Sequence, residues 1–423
     1  MHRAGGRGES RHGRKGPRAL LAFAAVFLPA EASDPPPPLF HESEAAFLRQ
    51  VDEGAFDPHL ELHLVQYSAD PRWTLDWAAS RYARSGFFAE YGSTSSSHLF
   101  VNAQVALNLF PAGNLQFRYD RRLYQDRRFD LRDERFDFLW YPRASWALVA
   151  SGWPLPQKEQ GTFGAGVRMG PPGGASGLTL LLMEDRPFWN EKTDGSVTFT
   201  KAPRRVLLDG HAGSGAWRFH GTVDFGLPYQ ADDRGVPIRS VRGYQRFGDV
   251  GGEYQPGSWA AGARATWAGL LRDQTQDGAP AYKLDRSYGR ILTYGRARFG
   301  NLMGYGLLGW AWQRDTFASP AIQNGSYRMG TKLFGMEAGW WPRDGLELRF
   351  GYLGNGIRME RRASPRDGAE LPWPDRDESG YADKVHGRAI WSFSPRMSIE
   401  LLLSQTVGGA RFGGGSLKAR FVL

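Results

Sequence analysis

Leu99 to Leu109 reads LFVNAQVALNL. Leu99, Val101, Ala103, Val105, Leu107 and Leu109 alternate with Phe100, Asn102, Gln104, Ala106 and Asn108. One set is apolar and the other is largely polar. Successive side chains of an extended chain point to opposite sides, so this spacing predicts a strand with one apolar and one polar face. The run is longer than the ~5–6 residues usual in soluble strands. It matches the ~9–11 residues that a tilted strand needs to cross a bilayer.

The same period recurs downstream. Trp217, Phe219, Val223, Phe225 and Leu227 alternate with Arg218, His220, Thr222 and Asp224. Trp259, Ala261, Ala263, Ala265 and Trp267 alternate with Gly262, Arg264 and Thr266. Leu346, Leu348, Phe350 and Tyr352 alternate with Glu347, Arg349 and Gly351. Gly387, Ala389, Trp391 and Phe393 alternate with His386, Arg388, Ile390 and Ser392. A soluble β-sandwich would alternate too, with its apolar face inward. Aromatic residues decide for a membrane barrel. Trp140, Tyr141, Trp146, Trp217, Trp259, Trp267, Trp310, Trp312, Trp340, Trp341 and Trp391 cluster at the ends of apolar faces, where an interfacial girdle belongs.

Turn lengths alternate as well. Short turns occur at 111–114, 141–143, 170–173, 213–215, 255–258, 300–301, 342–345 and 394–396. Their Gly, Pro, Asn and Asp content is turn chemistry. Between them lie polar stretches at 125–135, 154–160, 186–195, 230–239, 273–285, 316–325 and 362–380, expected as loops. Tight periplasmic turns and long outer loops are the rule for such barrels. Counting between turns, with a first strand near 85–92, predicts an all-β transmembrane antiparallel barrel of about 18 strands, with 16 as the alternative. The stretches 59–68 and 73–77 also alternate and leave the start of the barrel open.

The N-terminus reads as a removable secretion signal. Arg3, Arg7, Arg11, Arg14, Lys15 and Arg18 precede the short apolar run Ala19–Leu28, and Ala30-Glu31-Ala32 has small-x-small cleavage spacing. Three regions follow: a signal peptide over 1–32, a Pro-rich periplasmic tail over 33–58 whose short helix near 41–51 could pack against or into the barrel, and a barrel over 59–423. Loss of the six basic and two acidic signal residues from 53 and 44 leaves a mature net charge of about +5. The high overall basicity belongs partly to the signal, which weighs against nucleic acid as a partner. No run approaches the ~20 apolar residues of a spanning helix. The absence of cysteine removes disulfides, thiolate chemistry and cysteine-based metal sites.

The C-terminus ends in one more alternating run, Leu417, Ala419, Phe421 and Leu423 against Lys418, Arg420 and Val422. This resembles the closing strand of Gram-negative outer-membrane β-barrel proteins. The resemblance covers nearly the whole mature chain, is porin-like in architecture and matches no single family. It implies an outer-membrane location and presentation of the last strand to barrel-insertion machinery. The final residue is Leu423 where that class usually carries an aromatic, with Phe421 two residues back.

On the polar faces the expected pore-lining residues are Arg118, Asp120, Arg122, Arg168, Arg218, His220, Asp224, Arg264, Arg296, Arg298, Glu347, Arg349, Lys384 and Arg388. Asp137, Arg290, Glu337, Glu400, Lys418 and Arg420 share those faces. Basic groups outnumber acidic ones, and 45 Arg stand against eight Lys. Two readings compete. An open basic lumen would concentrate anions, while acid–base ladders across neighbouring strands would make the same residues structural. The run Arg118–Asp120–Arg122 favours a ladder.

Three constellations are weighed and set aside. His59, Glu61 and His63 share one strand face, but the spacing departs from the helical zinc motif. His220 and Asp224 are too far apart on an extended strand for direct contact. No Gly-x-Ser-x-Gly elbow or phosphate-binding glycine loop is present. The sequence therefore points to a non-enzymatic channel without cofactor or metal, passing small solutes with anions favoured, and narrowed by an inward-folded loop at 273–285 or 362–380. A scaffold or sheath for a periplasmic partner or polymer export is the alternative, and an outer-membrane hydrolase ranks below it.

Overall fold

The computed structural model describes residues 40, 43–53, 85–93, 99–125, 130–153, 161–174, 176–187, 196–366, 369, 375–408 and 412–422. The signal segment, the His59–His63 motif and the alternating stretches at 59–68 and 73–77 lie outside them.

One helix, α1 (Glu44–Glu53), precedes twenty strand segments. These are β1 (Gly86–Ser93), β2 (Leu99–Ala112), β3 (Leu115–Gln125), β4 (Asp130–Arg143), β5 (Trp146–Trp153), β6 (Thr162–Met169) and β7 (Gly177–Asp185). Then come β8 (Val197–Lys201), β9 (Arg204–Ser214), β10 (Trp217–Gly226), β11 (Tyr229–Asp233), β12 (Arg239–Tyr254) and β13 (Trp259–Gln276). The remainder are β14 (Ala279–Phe299), β15 (Leu302–Ala318), β16 (Ile322–Arg343), β17 (Leu346–Pro365), β18 (Arg376–Ser394), β19 (Met397–Thr406) and β20 (Phe412–Val422).

Every pairing is antiparallel, and β1 pairs with both β2 and β20, so the sheet closes on itself. Twenty segments make eighteen positions around the ring. The excess comes from two prolines. β8 continues β9 beyond Ala202-Pro203, and β11 continues β10 beyond Leu227-Pro228. Proline has no N–H to give the ladder, so each strand breaks there. The break is bridged by Leu227 N–H donating to the Arg204 carbonyl at 2.7 Å. Above it β8, β11 and β12 resume pairing.

The exterior carries an apolar band. Leu99, Leu109, Phe138, Leu180, Leu182, Phe219, Ile291, Leu308, Met336, Leu401 and Leu417 are all exposed. Trp140, Trp217, Trp259 and Trp340 ring its short-turn end, while Trp267 and Trp310 stand nearer the loop end. A closed ring is the only sheet that leaves no backbone group unpaired in hydrocarbon. Together these features make the chain an outer-membrane β-barrel of 18 strands. Two girdle assignments are corrected. Tyr141 is buried on the inner face with its hydroxyl on Gln116 Oε1 at 3.0 Å, and Trp341 lies under the inward-facing Arg298 guanidinium at 4.5 Å. Each follows an outward Trp, and consecutive strand residues face opposite sides.

The strands are longer than expected. β16 has 22 residues, roughly 70 Å at ~3.3 Å per residue. An apolar band of ~25 Å needs far less, even with strand tilt. The expected loop at 273–285 is a hairpin of β13 and β14, with one register shift between Gln274 and Thr275, closed by Asp277-Gly278. Their φ values of 49° and 79° suit a tight two-residue turn. The expected loops at 230–239, 316–325 and 362–380 likewise lose residues to β11, β15, β16, β17 and β18. The polar residues taken into these strands stand in water above the bilayer. Replacing Gly278 with Val forces a branched side chain into left-handed backbone, at a cost of about 1–2 kcal/mol. A lower urea midpoint for Gly278→Val than for Ser287→Val, on the same hairpin, is the expected result.

Candidate functional site: the inner wall

Strand register places acids opposite bases on the inner face. Arg118 on β3 lies across from Asp137 on β4, and Asp120 across from Arg135. Arg118 donates to Asp137 at 2.8 Å and also to Asp120, while Arg135 Nε reaches Asp137 at 2.6 Å. All four are buried. The wall of β9, β10, β12, β13 and β14 repeats the device. Arg205 bridges Asp224 at 2.8 Å and Asp185 at 3.3 Å. Arg264 grips Asp249 with two nitrogens, Nε at 2.7 Å, and Arg296 meets Glu253 at 3.3 Å.

A third network spans β16 to β20. Glu337 accepts from Arg349 at 3.5 Å, and its other oxygen lies 3.4 Å from Arg388 and 3.3 Å from the His386 imidazole. Arg349 also holds Glu347 at 2.7 Å. Glu400 lies 3.4 Å from Arg388 and 3.6 Å from Lys418. Lys384 Nζ donates to the Gly413 carbonyl at 2.7 Å.

The residues singled out from sequence thus separate into groups. Arg118, Asp120, Asp224, Arg264, Arg296, Glu347, Arg349 and Arg388 stand in acid–base ladders. Arg168 is fully buried and donates to Thr179 at 3.2 Å. Arg218 and Arg298 are exposed at the short-turn end, where Arg298 Nε donates to the Gly300 carbonyl at 3.0 Å. The side chain of Arg122 lies outside the described residues. His220 faces His211 across the β9–β10 ladder, while Asp224 is held by Arg205, so these two are not brought together.

Two apolar layers on the inner wall were missed. Leu139, Val149, Leu181, Met183 and Leu207 form one on β4 to β9. Leu292, Leu307, Leu333 and Leu353 form another on β14 to β17. The first had a legible signal. Leu178 to Met183 is apolar on both faces except Thr179, the pattern of a strand covered on two sides.

The outer end of the wall holds α1. Phe47 and Val51 are buried against Tyr282, Leu284, Phe317, Ile322, Tyr327 and Met329. The Phe47 and Tyr282 rings lie 5.1 Å apart. Arg286 donates to the Val51 carbonyl at 2.9 Å, supplying one of the orphan acceptors at the helix end, and Ser319 donates to Glu44. Phe40 packs on Ala231 and Val241 beneath the Arg239 guanidinium at 5.2 Å. The outward residues of β11, Gln230 and Asp232, are polar, which puts this part of the wall above the apolar band. Asp233 anchors Arg239 there at 2.5 Å. Burial pushes the Asp233 carboxyl up, but hydrogen bonds from Ser196, the Gly235 N–H and Arg239 outweigh it and hold it below the usual carboxylate range. The tail helix therefore packs into the barrel, at its loop-bearing end. Its apolar face needs a partner, and the inner wall supplies one.

Removing Glu337 would leave Arg349 and Arg388 buried without their shared acceptor. Such one-sided losses cost about 3–5 kcal/mol. Glu337→Ala is expected to lower the urea midpoint of the folded barrel, whereas a wild-type midpoint would mean that water replaces the carboxylate.

No family model and no curated protein sequence matches the chain. Among solved structures it is similar to OmpT, an outer membrane protein of Vibrio cholerae, at 9% identity over 80% of this chain and 96% of that one, with TM-score 0.36. It is similar to OccK10 (OpdN) of Pseudomonas aeruginosa at 13% identity, covering 81% and 98%, with TM-score 0.35. A bacterial polysaccharide outer membrane secretin matches at 7% identity, covering 81% and 99%, with TM-score 0.33. Likeness at this level carries no argument about solute or activity; the barrel assignment rests on the ring and its surfaces.

Proposed function

We propose that the protein is an outer-membrane channel for small solutes, narrowed at its outer end by its own N-terminal helix. The observation that carries this reading is a closed ring of 18 strands whose inner wall bears charge ladders along much of its length. Rings of ~16–18 strands are wide enough for an aqueous passage. We assign the constriction to α1, which packs on the inner wall at the outer end; the hairpin at 273–285 is extended strand, and the middle of 362–380 lies outside the described residues.

Pairing changes the expected selectivity. An arginine locked to a carboxylate contributes little field along the passage. Arg298 points inward near the short-turn end, where solutes leave or enter, held by the Gly300 carbonyl and the Trp341 ring, with no carboxylate within 4.0 Å among the described residues. Anion preference is assigned to this mouth instead of the ladders. In bilayer recordings across a salt gradient, Arg298→Gln is expected to move the reversal potential toward the cation side, while the double variant R264Q/D249N, which removes a neutral pair, leaves it nearly unchanged.

The apolar inner layers favour a second reading, in which the interior is filled and the barrel serves as a scaffold. Deleting residues 33–53 separates the two. A channel narrowed by α1 gains conductance several-fold. A folded barrel that stays silent with and without the helix overturns the channel reading.

A further inference from the structure

The outer surface of β15, β16 and β17 breaks a rule of sheet pairing. Arg314 on β15 and Arg328 on β16 are direct cross-strand partners on the exterior. Like charges placed opposite each other, with Cβ atoms ~4.5–5.5 Å apart, are destabilising. Arg358 on β17 lies across from Gly330, which sits between Arg328 and Lys332 on β16. The four cations form one patch two strand-spacings wide.

All four are exposed. Among the described residues none has an acidic group within 4.0 Å. Glu360, opposite Arg328, is engaged by Arg362 at 2.5 Å. The middle of the patch is open: a Cβ added at Gly330 or at Gly356, the partner of Lys332, would meet nothing within 4 Å. The patch is therefore a shallow floor of glycine framed by four unsatisfied cations.

Its height on the barrel identifies the occupant. Trp312 lies across from Gly330 and Trp310 across from Lys332. Below them the same strands expose Leu308 and Met336 to the apolar band. The cations stand at and just above the upper aromatic residues, on the loop-bearing side. Arg and Lys stems cover apolar surface there while their heads reach the polar layer. A ligand must be anionic where it meets the cations and apolar where it runs down beside Trp310 and Phe334.

We propose that this patch binds the phosphorylated saccharide headgroup of an outer-leaflet lipid, with phosphate oxygens between Arg314, Arg328 and Arg358 and acyl chains on the aromatic surface below. The guanidinium fork suits phosphate oxygens. Bound phosphate would also relieve the Arg314–Arg328 repulsion. The inference uses only the outer surface and does not depend on whether the interior conducts.

The test is native mass spectrometry of the full mature protein in detergent, titrated with bisphosphorylated lipid A, the same lipid with its phosphates removed, or inorganic phosphate. Wild type is expected to retain only the phosphorylated lipid. The variant R314Q/R328Q/K332Q/R358Q is expected to lose retention by about ten-fold or more, since each basic group near an anionic headgroup contributes measurably. The control R143Q/R343Q/R396Q, at the short turns, is expected to behave as wild type. Single variants Arg314→Gln and Arg358→Gln, each weakening retention, serve if the quadruple variant does not fold. Equal retention by the patch variants and wild type overturns the proposal. So does equal retention of the dephosphorylated lipid, which would make the contact purely apolar. Displacement of the lipid by equimolar inorganic phosphate would assign the patch to a free anion and overturn the lipid reading.

Discussion

Hydrocarbon offers no hydrogen bonds, and this constraint governs the structure. Each backbone N–H and C=O within the bilayer must find a partner in the sheet. The requirement is met only when the last strand meets the first, as β20 does with β1 over Gly86–Ser93. It also explains where the ladder is allowed to fail. Pro203 and Pro228 interrupt it beside Arg204, which is exposed and paired to Glu184, and near Arg246, which stacks on Phe225 and Tyr244. These are polar-layer neighbours, where water or headgroups can serve a backbone group that has lost its strand partner.

Closure has a second effect, through the two-residue period. Once the exterior set of each strand is committed to lipid, the other set is committed to the interior. The interior then has to accommodate many charges in a confined space. Register solves this by setting Arg118 against Asp137 and Arg264 beside Asp249. Buried ion pairs of this kind add little net stability. They do specify register strongly, because a one-residue slip would turn guanidinium groups into the lipid.

Much of this was readable from residues alone. Alternation in Leu99–Leu109 and its counterparts fixes which side chains share a face, and the short turns were legible as Gly, Pro, Asn and Asp clusters. Two kinds of feature were not. Polarity does not distinguish a loop from a strand above the membrane, so Asp273–Asp285 reads as loop until its ladder is seen. Nor does a face say what it meets. Arg118 and Arg298 carry the same alternation signal, yet one is buried between two aspartates and the other is exposed at a mouth. Which acid sits beside which base depends on neighbours from other strands, and that is register information absent from any single segment. The socket for α1 was hidden for the same reason: Tyr282, Phe317 and Tyr327 come from three different strands.

The strands that rise past the apolar band have a mechanical consequence. A rim of irregular loops samples many shapes, and each arriving molecule meets a different one. Here the hairpin of β13 and β14 stays paired, through one register shift, up to Asp277-Gly278, so this part of the rim is a wall with a defined slope. Anything recognising this hairpin from outside, an antibody or a phage fibre, would find a surface whose geometry is set in advance. A peptide grafted between Asp277 and Gly278 would inherit that rigidity and be held well clear of the lipid surface.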